Sequence, residues 1–348
     1  MFLRNSNKNE KIVTYLFRIR LNSKVRGDEM TTYITKSLKR LARLSFLLLI
    51  AFTYTNLMGC VHISVNQHPD DPKMELIKEK NLPTQEGKNL YLSTARGDVR
   101  VKSWDKNEVQ VKIFGNQRAK NKMKFTVEAS SDGIRVEGKS TTSSWLSFWK
   151  STQVRYEIVV PNKFNCKLST SGGDLHLDDL NGSVKLSTSG GDIRVQKING
   201  TLDASTSGGD ISLSYISGPI KCSTSGGDIS VKEAKGNIST STLGGDISLQ
   251  CSNGKVSAST SGGDIRVDYS GANQGIKLKT SGGDISLKVD NDFAGNVDLS
   301  SLGGDVSCDL SMTAVTKKKS SALIGAANSG GPNIECSTLG GDIRIRKR

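Results

Sequence analysis

The chain has 348 residues, of which 35% are hydrophobic and 5% aromatic, and it contains 36 glycines. This composition is poor material for a thick globular core, so a thin and repetitive architecture is expected. The formal net charge of +14 would by itself favour a nucleic-acid partner. Residues 1–59, however, hold 11 Lys/Arg against 3 Asp/Glu, which leaves 37 against 31 for residues 60–348. The basic excess lies mainly in this leader, and we predict no nucleic-acid binding.

The leader has the pattern of a secretory signal. Basic residues at positions 36–43 precede an apolar run over residues 44–52, which is too short to span about 30 Å of hydrocarbon as a helix. The run leads to Leu57-Met58-Gly59-Cys60, which resembles a bacterial lipobox. We therefore predict a lipoprotein signal peptide over 1–59, with diacylation of Cys60, including palmitate, as the membrane anchor. An uncleaved N-terminal anchor is the alternative. Met30 is the expected true start, because it gives a leader of ordinary length.

Two segments with different patterns follow the leader. Residues 60–84 are polar and include Pro69, Pro72 and Pro83, as expected of a lipidated tether. From Asn89 onwards, short runs alternate between apolar and polar residues and are separated by Gly and Asn, which is typical of strands and hairpins. We interpret residues 85–165 as an irregular N-terminal β cap.

The remainder, residues 166–348, repeats one phrase, which reads Thr-Ser-Gly-Gly-Asp-Leu at its first clear copy, residues 170–175. The first six copies are 18 residues apart and later gaps reach 20, 21 and 37 residues. Such a period is the signature of a repeat architecture. The aspartates of the copies are Asp174, Asp192, Asp210, Asp228, Asp246, Asp264, Asp284, Asp305 and Asp342.

Residues of recurring type fall in five columns when the copies are aligned: two mainly apolar columns before the Gly-Gly-Asp phrase, the threonine itself, and two apolar columns after the phrase. Each repeat therefore contains two short strands with one apolar face. An antiparallel meander is the alternative, but it would need roughly eighteen strands in one sheet. A solenoid stacks both strands of every repeat on their equivalents. We predict an all-β fold, a single-stranded β-helix-like solenoid of ~18-residue coils.

The aspartates are expected to accept backbone N–H groups at their own or the adjacent Gly-Gly corner. Calcium held between coils is the alternative, as in repeats of the form GGxGxDxUx, but the glycine that should precede aspartate is missing here. No metal or cofactor is therefore expected. The sequence from Gly133 to Ser140 matches GxxxxGK[ST], but it alternates like a strand and lacks a following helix, so we reject a phosphate loop.

Catalytic constellations are not evident. His62 and His68 lie in the tether and His176 takes an outward repeat position, which leaves no convincing triad or zinc site. We predict that the protein is not an enzyme. The cysteines after Cys60 lack CxxC spacing and are expected to be free and buried, with a Cys308–Cys336 disulfide left open.

Two insertions and the chain end interrupt the pattern. An aromatic run contains Trp145, Phe148 and Trp149 and would be either a hairpin tip folded over the cap or a contact for a partner or membrane surface. Residues 312–331 are expected to form a mobile loop. Residues 343–348 are expected to be an uncapped last strand, whose basic residues protect its open edge, with end-to-end assembly as the alternative. Any specific activity is expected at 141–153 or 312–331.

Three stretches carry a family resemblance: Gly97 to Val101 with Trp104 to Val109, the strand from Tyr156 to Pro161, and the Gly-Gly-Asp copies. From about Asn89 to Arg348 the chain resembles the adhesin-like, toastrack type of bacterial β-strand-repeat domain. The resemblance implies a β-solenoid-like fold on the cell envelope and a role in adhesion or envelope architecture. We expect a lipid-anchored protein, at the outer membrane or cell surface, that binds a protein or glycan partner or acts as a scaffold. An envelope-stress sensor and a carbohydrate-active β-helix enzyme are the alternatives.

Overall fold

The computed structural model describes residues 74–141 and 152–348. In these ranges the chain forms 27 strands and one short helix, and the strands lie in two sheets. The first sheet has 13 strands and the second has 14. The predicted all-β solenoid is confirmed.

The segment before the regular repeats contributes seven strands and the helix. Their bounds are β1 (Glu75–Pro83), β2 (Asn89–Thr94), β3 (Asp98–Trp104), β4 (Glu108–Gly115), α1 (Gln117–Lys122), β5 (Met123–Ser130), β6 (Gly133–Ser140) and β7 (Val154–Pro161). Asn116 caps α1, because its side chain accepts a hydrogen bond from the Ala119 N–H. The helix connects β4 of the first sheet to β5 of the second and buries Ala119 in the core.

The regular repeats give one strand to each sheet in turn. Those of the second sheet are β8 (Asn165–Thr170), β10 (Val184–Thr188), β12 (Leu202–Ser205), β14 (Ile220–Ser223), β16 (Ile238–Ser241), β18 (Val256–Ser259) and β20 (Ile276–Lys279). Those of the first sheet are β9 (Leu175–Asn181), β11 (Ile193–Asn199), β13 (Ile211–Ser217), β15 (Ile229–Lys235), β17 (Ile247–Ser252), β19 (Ile265–Ser270) and β21 (Ile285–Val289). The Gly-Gly-Asp corner always leads from the second sheet to the first.

The C-terminal part holds β22 (Gly295–Ser301), β23 (Val306–Cys308), β24 (Met312–Lys319), β25 (Ala322–Ala327), β26 (Asn333–Thr338) and β27 (Ile343–Lys347). Along the first sheet the order is β1-β4-β7-β3-β9-β11-β13-β15-β17-β19-β21-β27-β23. Along the second it is β24-β25-β22-β26-β20-β18-β16-β14-β12-β10-β8-β2-β6-β5. At both ends of each sheet, the spatial order of the strands differs from their order along the chain.

Equivalent residues of successive coils pair in parallel, as Ile193 with Ile211 in the first sheet and Val184 with Leu202 in the second. A meander would pair neighbouring strands in antiparallel fashion, so that alternative is wrong. The first sheet keeps eleven parallel strands when the antiparallel β1 and β4 are left out. The second sheet keeps eleven when the antiparallel β5, β24 and β25 are left out. Eleven coils at ~4.8 Å per step give a stack of about 48 Å.

The five predicted apolar columns point into the stack, and a sixth joins them near the end of each first-sheet strand. Leu180, Ile198, Ile216 and Ala234 occupy it. Strict alternation of inward and outward side chains along the strand would instead point the residue before each of these four into the core. That residue has positive φ in these coils, for example 59° at Asp179 and 58° at Tyr215, which shifts the alternation by one place.

The N-terminal end is closed by the irregular strands. The β2–β3 coil stacks on the β8–β9 coil, and the β6–β7 coil stacks outside it. Antiparallel β4 and β5 complete this end, and Lys78 and Lys80 of β1 donate to the carbonyls of Phe125 and Val127 across the two sheet edges. The predicted tether to residue 84 is too long, because Glu75–Pro83 pairs with β4.

The C-terminal end departs from two predictions. The final strand is not an open edge: β27 lies between β21 and β23, and β26 lies between β20 and β22. The expected mobile loop over 312–331 is instead the β24–β25 hairpin, which pairs antiparallel with β22. The outer strand of this hairpin carries Lys317, Lys318 and Lys319, so these lysines protect the edge.

Candidate functional surfaces

Each Gly-Gly-Asp corner is held by its threonine. Thr224 is buried, donates to the carbonyl of Gly209 in the preceding coil at 2.9 Å and accepts from the N–H of Gly227 in its own corner at 3.3 Å. The same pair of bonds recurs along the stack, and Ser301 makes it where threonine is replaced. The hydroxyl thus satisfies two buried backbone groups and joins two coils.

The aspartates form one continuous chain of hydrogen bonds. In each case Oδ1 accepts the backbone N–H of the aspartate in the next coil, at 2.8–3.0 Å. In spatial order the members are Asp98, Asp174, Asp192, Asp210, Asp228, Asp246, Asp264, Asp284, Asp342 and Asp305. Each carboxylate therefore accepts a hydrogen bond from the corner of the next coil. Asp342 comes before Asp305 in this order because β27 lies between β21 and β23.

Arginines offset part of the repulsion between these stacked carboxylates. Arg194 bonds Asp192 at 2.8 Å and Asp174 at 3.4 Å, and Arg266 bonds Asp264 at 2.6 Å and Asp246 at 3.3 Å. The charges are about half exposed, so each pair contributes little on its own. Among the described residues, no group of three or more His, Cys, Asp or Glu side chains could hold a metal ion.

A groove with a volume of about 820 Å³ runs across the outer face of the second sheet. We call it the second-sheet groove. It crosses the first residues of β12, β14, β16, β18, β20 and β26, which are neighbours in the sheet. The outward side chains at one register along it are Asp203, Lys221, Ser239, Ser257, Lys277 and Glu335. The small serines form the floor between longer side chains.

A second groove of about 560 Å³ lies on the first sheet, where the cap meets the repeats. Glu157, Arg100, His176 and Arg194 stand side by side across β7, β3, β9 and β11. Lys102, Asp98 and Asp174 also line it, so its acidic and basic residues balance. His176, the one histidine in the described ranges, is half-buried on this outer face, as its repeat position indicated.

The five described cysteines are free, and four of them are buried. Cys251, which the sequence left unplaced, is 5% exposed and packs in register with Ala234 and Tyr269. Burial raises the pKa of the Cys166 and Cys251 thiols to about 12. Cys308 and Cys336 are not bonded to each other. These thiols behave as small apolar side chains within the core.

Several predicted features lie outside the described residues. They are Met30, Cys60 and the aromatic residues Trp145, Phe148 and Trp149, whose segment connects β6 to β7. The rejected phosphate-loop match, residues 133–140, is the strand β6 and pairs antiparallel with β5. In the part of the chain that the structure describes, no helix is long and apolar enough to cross a membrane.

Sequence reasoning missed both grooves. A groove depends on side-chain length at one register over several coils. The signal for the second-sheet groove was the pair Ser239 and Ser257 between the longer Lys221 and Lys277. The exposed ion pair between Lys277 and Glu335 also needed the spatial order, because 58 residues separate the partners. This contact raises the pKa of Lys277 and lowers that of Glu335.

The stacked Thr-x-Gly-Gly-Asp corners and two parallel sheets define a β-solenoid whose repeats are structural units. The family model described as Toastrack DUF4097 matches residues 3–242 and 237–346. The chain therefore belongs to this toastrack family. No curated protein matches it.

Three solved structures are similar in part. They are a predicted cell adhesion protein of Clostridium sporogenes ATCC 15579 (12% identity, TM-score 0.24), a predicted adhesin of Bacteroides fragilis NCTC 9343 (14%, 0.35) and a predicted lipid-binding protein of Parabacteroides distasonis ATCC 8503 (12%, 0.29). Each similarity covers 79% of this chain and 100%, 99% and 98% of the respective relative.

Proposed function

We propose that the protein is a non-enzymatic, lipid-anchored component of a bacterial cell envelope, with a β-solenoid that binds a partner or acts as a scaffold. Its anchor is a diacylated Cys60, and its site is the outer membrane or cell surface. Residues 61–73 would then join the lipid to the first strand, β1. The lipobox-like sequence before Cys60 and membership of the toastrack family support this proposal.

The observation that carries the binding role is the second-sheet groove. It is open, crosses six coils and presents outward side chains such as Lys221 and Lys277, while the inward columns and corners hold the stack. A surface of this kind suits an extended partner, because every coil adds another row of contacts. The surroundings of His176 support the non-enzymatic part of the proposal. Arg100 and Arg194 flank it in the sheet, and the described residues that line its groove include no serine that it could activate.

The test is localisation of the full chain expressed in a Gram-negative host. We expect labelled palmitate to enter the wild-type chain, the protein to fractionate with membranes, and Cys60→Ala to abolish both. Cys251→Ala is the matched control and keeps labelling. Protease treatment of intact cells then reports surface exposure. A Cys60→Ala chain that still incorporates palmitate would refute the anchor, and a wild-type chain retained in the cytosol would refute the envelope role.

A further inference from the structure

The second-sheet groove has the dimensions of a site for a linear polymer. Six strands span five steps, or about 24 Å along the stack. A sugar ring is about as long as one step, so on the order of five rings would fit. The floor residues Ser239 and Ser257 and the exposed amides of Gln274 and Asn333 can donate to and accept from sugar hydroxyls.

Charge within the groove favours an acidic polymer. Asp203 is paired with Lys185 at 3.2 Å, and Glu335 with Lys277 at 2.7 Å. These contacts occupy the acidic side chains at the two ends. Two basic residues remain: Lys221 and Lys255 are exposed and make no ion pair with any described residue.

The two free ammonium groups belong to strands two coils apart. Lys221 lies on β14, and Lys255 directly precedes β18, so the two positions are about 10 Å apart along the stack and two residues, or about 7 Å, apart across it. Carboxylates on alternate rings of an extended chain repeat at a similar distance. A lysine contacts a carboxylate as a compact point charge on a flexible stem, which tolerates small differences in spacing.

We propose that the second-sheet groove binds a linear acidic polysaccharide of the uronate class, with Lys221 and Lys255 contacting carboxylates and Ser239 and Ser257 contacting ring hydroxyls. This inference rests on the proposed binding function and names its ligand class. The Lys277–Glu335 and Lys185–Asp203 ion pairs bound the groove at its two ends. Exposed ion pairs are screened by salt, so affinity falls as ionic strength rises.

The variants copy residues that other coils already use. Lys221→Ser introduces the residue found at positions 239 and 257, and Lys255→Asn introduces the residue found at 237. Both changes are therefore compatible with the coil. Lys167→Ser is the matched control, because Lys167 occupies the register of Lys221 three coils away and does not line the groove.

The experiment is calorimetric titration of the purified full chain with a polygalacturonate heptamer and with the same heptamer fully methyl-esterified. We expect binding of the acidic heptamer only, a ~2–5-fold weaker Kd for each single variant and ~5–25-fold for the double variant, as for exposed ion pairs. Lys167→Ser should stay within about two-fold of wild type.

Equal binding of the esterified heptamer, a double variant within two-fold of wild type, or no binding of the acidic heptamer would each overturn the proposal. Tighter binding of a poly(dT) oligomer than of polygalacturonate would also overturn it, because the groove would then recognise phosphodiesters. Palmitate labelling at Cys60 and surface exposure are read separately. A negative titration therefore does not contradict the envelope proposal, and a negative labelling experiment leaves the titration interpretable.

Discussion

Two threonines on one strand are predicted to have opposite effects on stability when replaced by valine. Thr240 and Thr242 both lie on or directly after β16, and both are buried, at 3% and 4% exposure. Thr242 is a corner threonine. Thr240 stands in an inward column between Cys222 and Ala258, where its hydroxyl has no hydrogen-bond partner. Thr→Val keeps shape and β-branching, so the hydroxyl is the main variable.

The magnitudes follow from the groups that gain or lose partners. At Thr240 the change removes an unsatisfied buried hydroxyl, which costs ~1–3 kcal/mol, so Thr240→Val should raise the free energy of unfolding by about 1–2 kcal/mol. At Thr242 it deprives the Gly227 carbonyl of a 3.0 Å bond and the Gly245 N–H of a 3.3 Å bond. Both groups would stay buried, so Thr242→Val should lower that free energy by about 2–4 kcal/mol.

The assay is urea unfolding of the full chain, with the midpoint and slope fitted for each variant. Thr242→Ser is the control, because Ser301 makes both corner bonds in an equivalent coil at 2.8 Å. It should cost about 1 kcal/mol or less, the contribution of one buried methyl group. Loss of stability in Thr240→Val, or a Thr242→Val no worse than Thr242→Ser, would refute the assignment of the corner hydroxyl as the bond between coils.

Three further predictions concern the corner, the strand irregularity and the thiols. Gly209→Ala should cost more than 3 kcal/mol, because its Cβ would lie 2.1 Å from the Gly191 carbonyl oxygen, whereas Gly208→Ala, with its nearest atom at 3.7 Å, should cost below ~1 kcal/mol in the same urea assay. Tyr215→Asn should stabilise by up to about 1 kcal/mol and Tyr215→Val should not, since φ is 58° there and only asparagine tolerates it well; equal midpoints would contradict this. Stability should fall as pH rises from about 9 to about 12, because unfolded thiols ionise near 8.5 while burial keeps those in the core protonated; Cys222→Ala should make the decline shallower, and an unchanged slope in pH-dependent urea midpoints would count against burial as the cause.

The repeat predicted the fold because each column has one chemical requirement. A residue such as Ile211 must be apolar, since it packs between Ile193 and Ile229 inside the stack, and the period of 18 sets which residues meet. Both requirements are local to the sequence. The period also placed His176 on an outer face, because its repeat position holds polar residues of different types in the other coils.

The sixth column could not be found from alternation alone. In the four coils that hold Leu180, Ile198, Ile216 and Ala234, the residue before this column adopts positive φ. The residues there include Lys197 and Glu233, neither of which signals that conformation. The energetic reason is tertiary: Ile198 and Ala234 gain burial by the shift, which offsets the backbone strain. Local propensity therefore pointed to plain alternation, and packing overrode it.

The spatial order of the last coils was also beyond the sequence. Every coil offers the same columns on its upper and lower sides, so β26–β27 can stack as well on β20–β21 as on β22–β23. The gap of 37 residues before Asp342 indicated an insertion but not its direction. The β24–β25 hairpin pairs with one side of β22 and forms the end of the second sheet, so β26 pairs with the other side of β22.

This arrangement explains why no regular coil is exposed at either end of the described stack. At one end β4, β5 and the lysines of β1 cover the coil of β6 and β7, and at the other β24 and β25 cover β22 while β23 is only three residues long. Open parallel edges invite pairing with other chains, and irregular or lysine-bearing strands discourage it. Because the end strands discourage pairing with other chains, the central coils need only stack on one another. Their outward residues are therefore free to vary. A groove that crosses six of them can then change its charge pattern coil by coil without changing the fold.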